Sequence, residues 1–141
     1  MTDLNSLPAG VRVAVEAVRN KKAAEVVVLD LGRLGAFTDH FIICTALSSR
    51  QAQAISEELE EQLASKGRVP RHREGSSAGE WMLLDFGSFI VHIFSAAARS
   101  YYDLDRLWRS AKRLELPGES DIAAFGHAGP GNQPPGAGPG L

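Results

Sequence analysis

The sequence predicts a single α/β (α+β) domain, a mixed five-stranded sheet flanked by helices. Three observations lead there. The 141-residue chain is 44% hydrophobic and 23% charged, an ordinary globular composition. Helix and strand periodicities follow one another in the order α-β-β-α-β-β-β-α, a pattern that layers helices on a sheet. The longest apolar runs are a handful of residues, far short of the ~20 that span a bilayer.

Each element has its own signature. Leu7, Val11, Val15 and Val18 recur at helical spacing, with Asn5 or Ser6 placed to cap and Asn20-Lys21-Lys22 to end the helix. Residues 25–31 are rich in β-branched side chains and stop at Gly32, which reads as a strand. Residues 40–46 are apolar on both alternating faces, as in a central strand covered on two sides. Ser48 and Gln51 stand at capping-box spacing. They open a helix whose Ala52, Ile55, Leu59 and Leu63 face inward and which Gly67 stops. The acidic run Glu57-Glu58, Glu60-Glu61 is its solvated face. Residues 68–75 are extended and lead into a loop of small residues, 75–79. Strands 80–86 and 89–94 are separated by Gly87-Ser88, which is hairpin spacing. Leu104, Leu107, Trp108 and Ala111 then recur at helical intervals, with Ser100 and Asp103 as a capping pair after a turn over 96–99.

Composition changes at Pro117. The final 25 residues hold seven of fourteen glycines and five of seven prolines, too little apolar surface to offset ordering. The reading is a domain over 1–116 and a disordered Gly/Pro-rich tail over 117–141. Formal net charge is -2, and residues 1–116 carry fifteen basic and fifteen acidic side chains. Long-range attraction to bare nucleic acid or an anionic membrane is therefore not the main driving force. A single cysteine, Cys44, excludes an intramolecular disulfide and a Cys-rich zinc site. The first residues lack the pattern of a signal peptide, so a cytoplasmic location is expected.

No P-loop, Rossmann or His-Glu-x-x-His motif is present. Asp103 and Asp105 have the spacing of a metal pair but stand at a helix start, where carboxylates serve as caps. Cys44 lies mid-strand among apolar neighbours. His92 alternates with Ile90 and Phe94 and reads as a satisfied core or sheet-face histidine, with ligand or general base as the rival reading. Asp39 is either a strand-entry turn residue or a lone acid in a cleft. No catalytic residue, metal or cofactor is expected.

Binding features are stronger. In strand 80–86, Trp81, Leu83 and Asp85 share one face, and Met82, Leu84 and Phe86 the other. Both faces are largely apolar, so each needs cover from a helix, a second subunit or a partner. Trp81 is either a core plug or an interface anchor, with Asp85 beside it to set register. Two basic groups, Arg106, Arg109, Lys112 and Arg113 along the last helix and Arg68, Arg71 and Arg73 along the extended arm, suit RNA phosphates or a solvated face.

The strings Thr38-Asp39-His40-Phe41-Ile42-Ile43-Cys44-Thr45 and Ser48-Ser49-Arg50-Gln51 resemble the ribosomal silencing factor family, also called Iojap-like proteins. So do Glu74-Gly75, Glu80-Trp81, Leu84-Asp85-Phe86-Gly87, Ile90-Val91-His92-Ile93-Phe94, Arg99, Tyr101-Tyr102-Asp103-Leu104 and Leu107-Trp108. The resemblance spans roughly residues 7–110, in order. It implies a nucleotidyltransferase-like fold without catalytic acids and a cytoplasmic homodimer. It also implies a translational repressor that binds the large ribosomal subunit through the universal ribosomal protein fourteen and sterically blocks subunit joining. The expected partner-binding residues are Trp81, Leu83, Asp85, Arg99, Tyr101 and Tyr102, with peripheral contact to ribosomal RNA and none to membrane. Minimal-length members of the family lack the Gly/Pro tail. The alternatives are an adaptor in large-subunit assembly, or a nucleotidyltransferase-like enzyme using Asp30, Asp39 and Asp85.

Overall fold

The computed structural model describes residues 4–75 and 80–116. A 3₁₀ turn over Leu4–Ser6 precedes α1 (Ala9–Asn20). Then come β1 (Ala24–Asp30), a 3₁₀ turn over Gly32–Leu34, β2 (His40–Ala46) and α2 (Ser49–Ala64). The chain continues as β3 (His72–Glu74), β4 (Trp81–Asp85), β5 (Phe89–Ser95), α3 (Ala96–Tyr102), α4 (Leu104–Leu107) and β6 (Lys112–Leu116). The strands form one sheet in the order β3-β4-β5-β2-β1-β6. Only β2 and β5 run parallel, because the long connection through α2 returns the chain in the same direction.

The sixth strand corrects the expected five. Lys112 and Arg113 were expected on the last helix; instead residues 112–116 pair antiparallel with β1, Leu114 opposite Val28 and Leu116 opposite Val26. The helical spacing of Leu104, Leu107, Trp108 and Ala111 is satisfied by a four-residue α4 and the turn after it. From Lys112 the period becomes two: Leu114 and Leu116 face inward, and Arg113 and Glu115 stay exposed. Pairing here also satisfies the backbone groups that β1 would otherwise leave bare at the sheet edge. As a result, Arg106, Arg109, Lys112 and Arg113 do not share one helix face.

Caps differ in detail from expectation. Pro8 precedes α1 and no side chain caps it, so neither Asn5 nor Ser6 does. Ser48 caps α2 by accepting the Gln51 amide at 3.0 Å. The Gln51 side chain accepts from Leu47 N–H at 2.7 Å and donates to the carbonyls of Lys21 and Lys22, 3.0 Å each. One glutamine thus joins the start of α2 to the turn after α1. Residues 96–99, expected as a turn, open the helix Ala96–Tyr102, which Ser95 caps; of the expected capping pair Asp103 caps α4, and Ser100 lies inside α3.

The burial stripes predicted for the first two helices hold. Val11, Val15 and Val18 of α1 and Ala52, Ile55, Leu59 and Leu63 of α2 are at most 1% exposed. They cover one sheet face with Val26, Val28, Ile42, Cys44, Leu84, Val91 and Ile93. The other face buries Val27, Leu29, Phe41, Ile43, Ile90 and Phe94 beneath Ala98, Leu104, Trp108 and Ala111. That second cover is made of two short helices and a turn, and Trp81 and Leu83 at its β4 margin stay half-buried. The loop residues 76–79 and the Gly/Pro-rich segment 117–141 lie outside the described residues.

Gly75 holds β3 against the start of β4. Its φ is +116°, and a Cβ there would stand 2.6 Å from the Trp81 carbonyl and 2.7 Å from Met82 Cα. Both obstacles are backbone and cannot swing away. Gly75→Ala is expected to cost about 2–4 kcal/mol, read as a lower urea midpoint; an unchanged midpoint would show that β3 can relax.

Candidate docking surface

Strand alternation puts Trp81, Leu83 and Asp85 on the second sheet face, as the sequence indicates, with Met82 and Leu84 buried on the first. The Trp81 indole lies among aromatic rings: Tyr102 at 4.5 Å, Phe94 at 5.0 Å and His92 at 5.9 Å between centroids. Its Nε1–H donates to His92 Nδ1 at 3.1 Å. Trp81 is therefore neither a core plug nor a free anchor; it is a half-buried ring held at the rim of a packed cluster.

His92 is 4% exposed, with Phe41 edge-on at 4.5 Å. Burial pulls its pKa down to about 4, so the ring is neutral at neutral pH. It is a core histidine as the sequence suggests, but only half satisfied: Nδ1 is paired, and Nε2 has no partner among the described residues.

Arg99 is a brace. Its guanidinium donates to Asp105 Oδ2 at 3.0 Å, to the Glu25 carbonyl at 2.9 Å and to Thr45 Oγ1 at 3.0 Å, and only 11% of its side chain is exposed. It ties α3 to α4, β1 and β2. Burial opposes ionisation of Asp105, but the hydrogen bonds and charges of Arg99, and then of Arg113, outweigh it and hold the carboxyl below the usual range. The Asp103–Asp105 pair is accordingly spent on a cap and an ion-pair network, consistent with its reading as helix-start acids.

That brace sets the orientation of α3, whose end carries Tyr101, 81% exposed, and Tyr102, 46% exposed, edge-on at 5.0 Å. Leu107 of α4 and Phe37, in the loop before β2, are about as bare at 70% and 72%. Phe37 meets Phe41 edge-on at 6.3 Å. Tyr101, Tyr102, Leu107, Arg106 and Arg109 line a shallow open hollow beside the aromatic cluster. Asp85 accepts the Gly87 amide at 2.8 Å and lies 3.5 Å from Arg71 Nε, so it shapes the β4–β5 turn at the edge of the same face. The structure thus gathers Trp81, Leu83, Tyr101 and Tyr102 around one surface, sets Asp85 at its margin, and places Arg99 beneath it. Leu107, Phe37 and the pairing role of His92 were missed. Leu107 had been counted toward a buried helical stripe, and nothing in a lone sequence marks the others.

The acids expected of an enzyme do not converge. Asp30 accepts the Gly32 amide at 3.0 Å, and Asp39 is exposed. Strands β5 and β2 lie between Asp85 and Asp30, a separation of roughly 14 Å at the usual strand spacing. Among the described residues no three metal-capable side chains come together. Burial pushes the Cys44 thiol up to about 12, far from a nucleophile.

Among the described residues the sheet thus has one face covered by two long helices and one aromatic face left partly bare. The family described as "Ribosomal silencing factor during starvation" matches residues 5–131. The chain is 38% identical over 107 residues to Ribosomal silencing factor RsfS of Halalkalibacterium halodurans, covering 76% of this chain and 92% of that one. It is 34% identical to the protein of the same name from Bacillus subtilis, covering 74% and 89%. A crystal structure of a Chromobacterium violaceum protein superposes with a TM-score of 0.68 at 30% identity, covering 76% of this chain and 87% of that one. The chain belongs to the ribosomal silencing factor family. The family match runs past Leu116, so part of the segment set aside by composition lies within the family's pattern.

The neutral, buried His92 carries a pH signature. Unfolded histidine takes up its proton near 6.5, whereas the folded ring resists until about 4. Its contribution to stability is full above pH 6.5 and is lost as pH falls toward 4, by roughly 3 kcal/mol. Melting temperature should fall more steeply between pH 6.5 and 4 in the native protein than in His92→Leu; parallel curves would refute a neutral buried ring.

Proposed function

We propose that this chain represses translation by docking on the large ribosomal subunit through the Trp81–Tyr102 surface. The docked protein covers part of the intersubunit face and so excludes the small subunit by bulk. The partner surface is the universal large-subunit protein fourteen. The observation that carries this reading is the half-buried indole of Trp81, which stands with exposed Tyr101 and Tyr102 at the rim of a rigid aromatic cluster. Interface anchors are typically such aromatics, held in place beforehand and ringed by polar groups. Family membership supports the ribosome as the target, and relatives are named ribosomal silencing factors.

Leu83 extends the apolar contact along β4, and Asp85 with Arg71 supplies charge at the margin to set register. Arg106 and Arg109, beside the hollow, make peripheral contact with ribosomal RNA phosphates. Arg99 acts from below by fixing α3 and α4. No described helix is long and apolar enough to cross a membrane, and the site of action is the cytoplasm. The protein works as a homodimer; light scattering at tens of micromolar should return twice the chain mass, and a monomer mass would remove this part of the proposal.

Sedimentation of purified ribosomal subunits tests the main claim. Added protein should travel with the large subunit and deplete joined ribosomes. Trp81→Ala should stay folded at a cost of roughly 2 kcal/mol, since the ring is only half-buried. It should bind at least about 30-fold more weakly, because aromatic anchors carry ~2 kcal/mol or more and each ~1.4 kcal/mol is tenfold. Unchanged joining in the presence of native protein, or undiminished binding by folded Trp81→Ala, would contradict the proposal.

A further inference from the structure

His92 sits mid-strand in β5 with its ring enclosed by Phe41, Trp81 and Phe94. Its Nδ1 accepts the Trp81 indole proton, so a neutral ring must carry its own proton on Nε2. That Nε2 is buried and has no hydrogen-bond partner among the described residues. A buried N–H without an acceptor opposes folding, and leucine or phenylalanine at this position would avoid the cost. The polar ring is therefore explained only by its other nitrogen, which faces the indole.

The indole N–H is thereby satisfied from within the protein. The ring is held in one orientation against Phe94 and Tyr102 and offers a partner no unmet donor. A partner acceptor could take that N–H only by releasing it from His92, which would leave both imidazole nitrogens buried and unpaired. We propose that His92 is a positioning residue for docking: it fixes the Trp81 indole through the Nδ1 hydrogen bond and selects a partner pocket that is apolar where it receives the ring. This rests on the reading that Trp81 faces the large subunit.

The test uses the full chain and purified large ribosomal subunits. His92→Leu removes the acceptor, His92→Asn restores an oxygen near the Nδ1 position, and Trp81→Phe removes the donor. His92→Leu should melt at or above the native temperature yet bind about fivefold or more weakly, with His92→Asn recovering most of the binding. In a Trp81→Phe background, His92→Leu should weaken binding less than about twofold further. With Trp108→Phe in place, Trp81 is the one remaining tryptophan, and its emission should shift on His92→Leu. A merely structural histidine would lower stability and binding together and show no dependence on the residue at 81. Native-like binding by His92→Leu alongside weak binding by Trp81→Ala would overturn the positioning role while leaving the docking surface intact. Native-like binding by Trp81→Ala would overturn both. If His92→Leu fails to fold, His92→Asn decides: weak binding with a native melting temperature and unshifted emission counts against the proposal.

Discussion

Strands β1, β2 and β5 are apolar on both faces, and this constraint governs the rest of the molecule. Such strands require cover on two sides. The first side receives it from α1 and α2, two helices of 12 and 16 residues whose inward stripes are closed to solvent. Among the described residues the second receives α3, α4 and the turn beyond, which reach Phe41, Phe94 and Ile90 but leave Trp81 and Leu83 at the rim. The partly bare face is a product of unequal cover, and its margin is where large aromatic side chains meet water.

Unequal cover would be a weakness if the short helices could drift. Arg99 prevents this by joining α3 and α4 to β1 and β2 through one guanidinium. Ion pairs this sheltered are poor sources of net stability but good determinants of geometry, since losing one partner leaves a charge stranded. The aromatic packing continues the same logic: Tyr102 lies on Trp81, and Trp81 is bonded to His92. A surface fixed before contact loses little entropy on binding. This physical route leads from a thin helical cover to an aromatic face that is held in place and left partly open.

Much of the fold was legible because burial stripes are local. The spacing of Val11, Val15 and Val18, the two-faced apolarity of 40–46 and the Gly87-Ser88 turn each carry their structure within a few residues. The last strand was not legible. Leu104, Leu107 and Trp108 do open at helical spacing, and only pairing with β1, more than eighty residues upstream, makes Lys112–Leu116 extended. The site divides the same way. Strand alternation alone places Trp81, Leu83 and Asp85 on one face. The interior use of Arg99, the exposure of Leu107 and the orphaned nitrogen of His92 depend on contacts between distant segments, which periodicity does not record. The motif strings added what the pattern lacked, pointing to the family before the geometry did.

By the proposed mode of docking, the aromatic second face, and not the α1–α2 side, meets the ribosome. Hydrogen–deuterium exchange of the full chain, alone and saturated with purified large subunits, reads this directly. Slowed exchange confined to residues 81–85 and 99–107, with α1 and α2 unchanged, is the predicted footprint. Protection centred on α1 and α2, with 81–85 and 99–107 exchanging as in the free protein, would place the contact on the opposite face and rule out docking through Trp81.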